Sequence, residues 1–189
     1  IEMRKSIWER DKGSRTYTSF DPFAVSGGDL NGDGKTDLVT MNRGGGVISI
    51  GLSDGAGNFA IQPNVSVGIA SNPIGVAFAD FNNDGKMDLA VPSGFGFSIL
   101  LGNGTGGFAP PTHITTANSS SIRAADFNGD GKVDLATANP GADTISILLG
   151  NGNATFGAAA SRLPGSTPIT CRNWAMEVRR LASAPLTSE

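Results

Sequence analysis

Asp29-Leu30-Asn31-Gly32-Asp33-Gly34-Lys35-Thr36-Asp37 is the stretch on which the reading of this chain turns. Its pattern, D-x-N-x-D-G-x-x-D, returns from Asp80 through Asn82, Asp84 and Gly85 to Asp88. It returns again from Asp126 through Asn128, Asp130 and Gly131 to Asp134. The starts lie 51 and 46 residues apart. Self-similarity at such a period marks an array or a propeller, with one supersecondary unit per repeat.

The repeat extends beyond its acidic core. A short apolar stretch enters each copy, clearest in Ile74-Gly75-Val76-Ala77-Phe78-Ala79, and a second follows at once: Leu38-Val39-Thr40, Leu89-Ala90-Val91 and Leu135-Ala136-Thr137. After a polar or glycine turn comes a third: Val47-Ile48-Ser49-Ile50, Phe97-Ser98-Ile99-Leu100-Leu101 and Thr144-Ile145-Ser146-Ile147-Leu148-Leu149. A glycine-rich loop then leads to Phe59, Phe108 or Phe156, which opens a fourth, weaker segment. Runs this short, rich in β-branched and aromatic residues and bounded by Gly, Asn, Asp and Pro, read as strands. The expectation is an all-β fold: three propeller blades, each of four antiparallel strands, forming a partial propeller.

Boundaries follow from the repeat. The blades are expected at about residues 21–70, 71–116 and 117–163. Residues 1–20 form an N-terminal flank in which Thr16–Phe20 reads as a strand of a preceding blade. Residues 164–189 carry no acidic motif and read as a non-repeat tail, disordered or non-native. Within that tail Trp174, Val178 and Leu181 have helical spacing over 173–182.

The same nine residues carry chemistry. Calcium takes six to eight oxygen ligands in flexible geometry. Side chains at loop positions 1, 3, 5 and 9 converge if the chain curls, which requires at position 6 a backbone turn that suits glycine; Gly34, Gly85 and Gly131 sit there. The candidate metal ligands are therefore Asp29, Asn31, Asp33 and Asp37; Asp80, Asn82, Asp84 and Asp88; and Asp126, Asn128, Asp130 and Asp134. Lys35, Lys86 and Lys132 at position 7 are expected to offer their backbone carbonyl while the side chain points to solvent. All-oxygen donors with no His or Cys disfavour zinc and copper, and magnesium suits such a loop less well. Up to three Ca2+ are implied. An EF-hand needs a Glu at position 12 and flanking helices; position 12 here is Thr40, Val91 or Thr137, and strands flank the loops. Dockerin modules fail the same test. Asx-rich turns would explain one copy, but not three in register.

The sequence resembles the FG-GAP or VCBS repeat family, which builds the propeller of integrin α subunits and many bacterial surface proteins. Gly28–Leu38 and its two counterparts carry the resemblance, with Leu101-Gly102-Asn103-Gly104-Thr105-Gly106-Gly107-Phe108 and Leu149-Gly150-Asn151-Gly152-Asn153-Ala154-Thr155-Phe156 between and after them. It covers about residues 21–163. The resemblance implies calcium-stabilised blades, usually about seven in a closed ring, in a secreted or cell-surface protein used for adhesion or ligand binding. Three blades do not close such a ring, and an open array exposes strand edges. Missing blades or further copies of the chain are expected to complete it.

Charge and composition narrow the partners. Residues 21–163 hold twelve Asp against six basic side chains, a formal −6. That balance fits ion binding and argues against nucleic acid. No apolar run is long enough to span a membrane as a helix. Cys171 stands alone, so no internal disulfide forms. His113 is the single histidine and reads as a loop or strand-edge residue; with no G-x-S-x-G elbow, a non-enzyme is expected. The leading function is a calcium-binding adhesion or ligand-binding module for an extracellular protein or glycan. The alternatives are a structural or accessory domain of a larger secreted enzyme, and a sugar-binding lectin. Trp8, Trp174 and Tyr17, the residues on which sugars usually stack, lie outside the repeats.

Overall fold

The computed structural model describes residues 22–42, 46–68, 75–93, 95–116, 119–139, 142–158 and the backbone of 160–162. The flank at 1–20 and the tail at 164–189, with its helical spacing over 173–182 and Cys171, lie outside the described residues.

Strands form where β-branched and apolar residues alternate between turn-forming clusters. In the first blade β1 (Pro22–Gly28), β2 (Asp37–Asn42) and β3 (Val47–Ser53) make an antiparallel meander, completed by β4 (Phe59–Ile61) and β5 (Val65–Ser66). The second blade is β6 (Ala77–Ala79), β7 (Asp88–Ser93), β8 (Gly96–Leu100) and β9 (Thr112–Thr115). The third is β10 (Ser121–Ala125), β11 (Asp134–Asn139), β12 (Thr144–Leu148) and β13 (Ala160–Arg162). All pairings are antiparallel, and each sheet runs in sequence order. These are three propeller blades in an open array, as the repeat predicts.

The fourth strand differs from its expectation. Phe108 and Phe156 do not open it; each makes an isolated bridge, to Gly102 and Gly150, and the paired strand resumes only at Thr112 or Ala160. In the first blade the outer strand is likewise split, β4 pairing Gly51–Ser53 and β5 pairing Val47–Ile48. Prolines fall in two of these gaps, Pro63 and Pro110-Pro111. A proline has no N–H to give the ladder, so it belongs at an edge and blunts it.

Successive residues of a strand face opposite sides, and the middle strands use this to join blades. Val39, Met41, Ile48 and Ile50 of the first blade share a cluster with Leu89, Val91 and Leu100 of the second. The opposite face of the second blade, Ala77, Ala90, Phe97 and Ile99, packs with Ile122, Leu135 and Leu148 of the third. Burial of each Leu, Ile or Val contributes about 1.5–3 kcal/mol. The recurring phenylalanine works at these junctions: the Phe156 ring meets Phe81 and Phe97 of the second blade edge-on, at 5.9 and 6.1 Å. Its counterpart Phe108 packs against the junction of the first two blades.

Buried polar side chains also repeat. Asn42 Nδ2 donates to Ser49 Oγ at 2.8 Å, with the Thr40 hydroxyl beside it. Asn139 Nδ2 donates to Ser146 Oγ at 2.8 Å and Thr137 Oγ1 donates to Asn139 Oδ1 at 3.2 Å. In the second blade Val91 and Ser93 take the Thr and Asn places. There Ser98 Oγ donates to the Val67 carbonyl, and His113 Nδ1 lies 2.8 Å from the same hydroxyl. A hydroxyl has one proton, so His113 Nδ1–H is the donor. His113 is an exposed residue of the edge strand β9, in keeping with its sequence reading.

Candidate metal-binding loops

Each motif fills the turn from the first to the second strand, and its last aspartate begins the second strand: Asp37 in β2, Asp88 in β7, Asp134 in β11. The apolar residue at position 2 fixes one end of the loop, Leu30 and Phe81 being buried in the two inter-blade clusters. Positions 4 and 6 are left-handed. Gly34, Gly85 and Gly131 have φ of 79°, 78° and 81°; at position 4, Gly32 and Gly129 alternate with Asn83 at φ 59°. Asparagine tolerates this region better than most side chains. Asn83 also donates through Nδ2 to the Gly152 carbonyl of the third blade, tying one loop to its neighbour.

That curl draws the position 1 and 3 oxygens together. Asp29 Oδ1 and Asn31 Oδ1 both accept from the Asp33 N–H, at 3.2 and 3.1 Å. Asp80 Oδ1 and Asn82 Oδ1 do the same at the Asp84 N–H, both at 3.1 Å. In the third loop Asn128 Oδ1 accepts from the Asp130 N–H at 2.9 Å, and Asp126 accepts from Gly129 and Gly131. The other oxygen of the position 1 carboxylate takes the position 6 N–H: Gly34 to Asp29 at 2.8 Å, Gly85 to Asp80 at 2.7 Å. The position 5 carboxylates accept from the position 7 N–H, each at 2.9 Å.

The ninth position stands apart. Asp37, Asp88 and Asp134 have no solvent exposure. One oxygen of each accepts from the position 2 N–H, at 2.9 Å in all three: Leu30, Phe81 and Phe127. The other accepts from the residue ending the third strand or just beyond it: Ser53 at 2.8 Å, Gly102 at 2.8 Å and Gly150 at 2.7 Å. The carboxylate therefore bolts the loop to the turn that follows the third strand. Gly102 and Gly150 pass so close to the Met87 and Val133 carbonyls that a Cβ would collide with them. The repeated Leu-Gly-Asn-Gly thus serves a close backbone approach.

The lysine side chains are 41%, 45% and 44% exposed, and their ammonium heads, still in solvent, also turn back over the loop. Lys35 Nζ donates to Asp33 Oδ2 at 2.9 Å and Lys86 Nζ to Asp84 Oδ2 at 3.3 Å, while Lys132 Nζ stands 3.6 Å from Asp130 Oδ2. The stems lie over the next turn, close enough that a Cβ on Gly55 or Gly104 would stand 3.0 or 3.3 Å from the Cδ of Lys35 or Lys86. Lysine folds back because its aliphatic stem covers surface while its head stays wet.

Charge follows position. The Lys35 side chain and N–H hold the Asp33 carboxyl below the usual value of 3.8. Burial works to raise Asp84, but the Lys86 N–H, Asn82 and the Lys86 ammonium outweigh it and leave the carboxyl lowered. At Asp130 the Lys132 N–H is the main cause of a lowered value. Asp88 goes the other way: burial pushes it up, the Gly102 and Phe81 N–H groups oppose this, and the Asp84 and Asp80 carboxylates add to the rise.

Among the described residues no three carboxylates already close into a metal-holding cluster. The donors nonetheless suit a hard cation in kind: every one is an oxygen, and one that accepts a single N–H, such as Asn31 Oδ1 or Asp33 Oδ1, keeps a further lone pair. The residues that fit are Asp29, Asn31, Asp33 and Asp37, with their eight equivalents.

A family model for FG-GAP-like repeats matches residues 29–91 and 95–137, and one for the FG-GAP repeat matches residues 118–159. The chain belongs to the FG-GAP repeat family. No curated protein matches this FG-GAP chain in sequence. Among solved structures it is similar to a lectin of Agrocybe aegerita that recognises non-reducing terminal N-acetylglucosamine, at 23% identity and a TM-score of 0.48 over 71% of this chain. It is also similar to the Tc holotoxin pore of Photorhabdus luminescens, at 20% identity and a TM-score of 0.44 over 82% of this chain. The FG-GAP chain spans 36% of the first protein and 8% of the second.

Sequence reasoning missed the two buried hydrogen bonds that each ninth aspartate accepts and the return of the lysine. It also missed the buried Thr–Asn–Ser groups, although Leu38-Val39-Thr40-Met41-Asn42 and Leu135-Ala136-Thr137-Ala138-Asn139 repeat in the sequence.

Proposed function

We propose that this chain is a calcium-stabilised segment of a β-propeller from a secreted or cell-surface protein, presenting its loops to an extracellular protein or glycan. The observation that carries the reading is the loop itself: in the first two copies the position 1 and 3 oxygens gather on one backbone N–H, and in the third they accept from neighbouring N–H groups of the same curl. FG-GAP membership supports the extracellular setting.

In this reading Asp29, Asn31, Asp33 and Asp37 hold the first ion, Asp80, Asn82, Asp84 and Asp88 the second, and Asp126, Asn128, Asp130 and Asp134 the third. The carbonyls of Lys35, Lys86 and Lys132 contribute one oxygen each. Bound calcium supplies charge neutralisation, and its role is structural. Extracellular calcium modules bind at about 10⁻⁴–10⁻³ M. At tenfold excess over the dissociation constant, each ion stabilises the chain by about 1.4 kcal/mol.

The reading assigns no catalytic role, and neither nucleic acid nor the membrane interior as a partner. The one histidine gives its Nδ1–H to Ser98, and the acidic balance repels polyanions. A sugar-binding function is less favoured, because every aromatic side chain among the described residues is a phenylalanine. Equilibrium dialysis of the whole chain against Ca2+, with excess Mg2+ as competitor, tests the proposal. Three ions per chain are expected; no uptake in the millimolar range overturns it.

A further inference from the structure

Resting on the calcium reading, we infer that the position 7 lysine is a built-in competitor of the ion: its ammonium and Ca2+ contend for the same position 5 carboxylate oxygen, so filling a loop releases the lysine from the turn beneath it. Three loops carry the arrangement independently, with Nζ to Oδ2 separations of 2.9, 3.3 and 3.6 Å for Lys35, Lys86 and Lys132. In each the stem crosses a glycine of the turn after the third strand: Gly55, Gly104 and Gly152.

The chemistry is a contest for one set of lone pairs. Asp33 Oδ1 takes the Lys35 N–H, which leaves Oδ2 as the oxygen facing the ammonium. The same holds for Asp84 and Lys86. An ammonium is a compact point charge on a flexible stem, able to occupy such an oxygen and able to leave it. A divalent ion drawing on positions 1, 3 and 5 together carries twice the charge and more ligands. The exchange therefore runs in its favour, at the cost of the pair and of the stem's contact with the turn. The affected turn, at Gly55, Gly104 or Gly152, is joined to the loop a second time by the ninth aspartate through Ser53, Gly102 or Gly150. Ion uptake at the loop is thereby felt at the neighbouring turn.

The separations rank the loops. Lys35 is the strongest competitor and Lys132 the weakest, so removing the ammonium tightens the first loop most. An exposed ion pair has limited worth, which sets the gain at about fivefold or less.

Two measurements on the full chain test this. Reductive ¹³C-methylation keeps the charge on all five lysines, and Lys5 and Lys12, outside the loops, serve as references. On titration with Ca2+ the methyl resonances of Lys35, Lys86 and Lys132 should move toward those of free lysine, while Lys5 and Lys12 stay. Separately, Lys35→Met keeps most of the stem and removes the charge; calorimetric titration should show tighter Ca2+ binding at one of three sites. Loop lysines unmoved at saturation, or Lys35→Met binding no tighter than the parent, overturns the inference while leaving the calcium sites standing. A parent chain that takes up no calcium brings down both.

Discussion

Asp84 and Asp88 are the same residue type, four positions apart in one motif, yet the fold uses them in opposite ways. Asp84 lies on the exposed arc of the loop, paired with Lys86 and held below the ordinary carboxylate value. Asp88 has no exposed surface, binds the Phe81 and Gly102 N–H groups, and is pushed above that value by burial. The difference teaches that one acidic pattern in sequence joins two mechanical parts. An outer arc leaves its oxygens at the surface, where the proposed ion would draw on them, and an inner post holds the arc to the sheet through its own hydrogen bonds.

Removing the post should do the most damage. Asp88→Ala leaves two buried N–H groups without acceptors, at about 1–3 kcal/mol each. Thermal unfolding should show a large fall in Tm in calcium and in chelator alike; a fall confined to calcium would make Asp88 a ligand and nothing more. Next comes the turn that shapes the arc. Gly85→Ala places a side chain at φ 78° in open space, so it should cost about 1–2 kcal/mol from backbone strain alone. Urea unfolding should record this in both conditions, and a neutral result would show that the arc is free to relax.

Asp84→Ala acts on the arc itself. It should remove about 1.4 kcal/mol at tenfold excess of ion over the dissociation constant, roughly 3–6 °C in Tm for a chain of this size. Chelator should abolish the difference from the parent chain. An equal fall in both conditions would erase the contrast with Asp88. The smallest effect is on pH dependence. A carboxyl whose folded-state pKa is raised contributes stability below its unfolded value, and that contribution is lost as pH rises through the folded value. In chelator, Asp88 should therefore make stability decline above about pH 4, and Asp88→Asn should flatten that decline. Asp84, being lowered, contributes in the opposite sense and loses its share as pH falls. A pH–stability profile indifferent to Asp88→Asn would contradict the burial argument.

The blades were legible because their signals are local. Three acidic turns in register, each followed by a run such as Leu89-Ala90-Val91, set strand type and strand order before any contact is known. The split outer strand was less so: Pro110-Pro111 announces a break, but only the pairing shows that the ladder resumes at Thr112. At the site, spacing identifies Asp88 as one of a set of oxygens. It does not record that Gly102, fourteen residues on, comes back to bond it. The reach of Lys86 to Asp84 was equally hidden, since a flexible stem carries no periodicity. The buried Thr137–Asn139–Ser146 group depends on a neighbouring strand, and the second blade dispenses with it by using Ser98 and His113.

The most direct test of the account is differential scanning calorimetry of the whole chain in millimolar Ca2+ and in chelator. The account predicts one cooperative transition in each, with Tm several degrees higher in calcium and rising with its concentration. Superimposable transitions at every calcium concentration would contradict it, and would leave the three loops as turns held by their own hydrogen bonds.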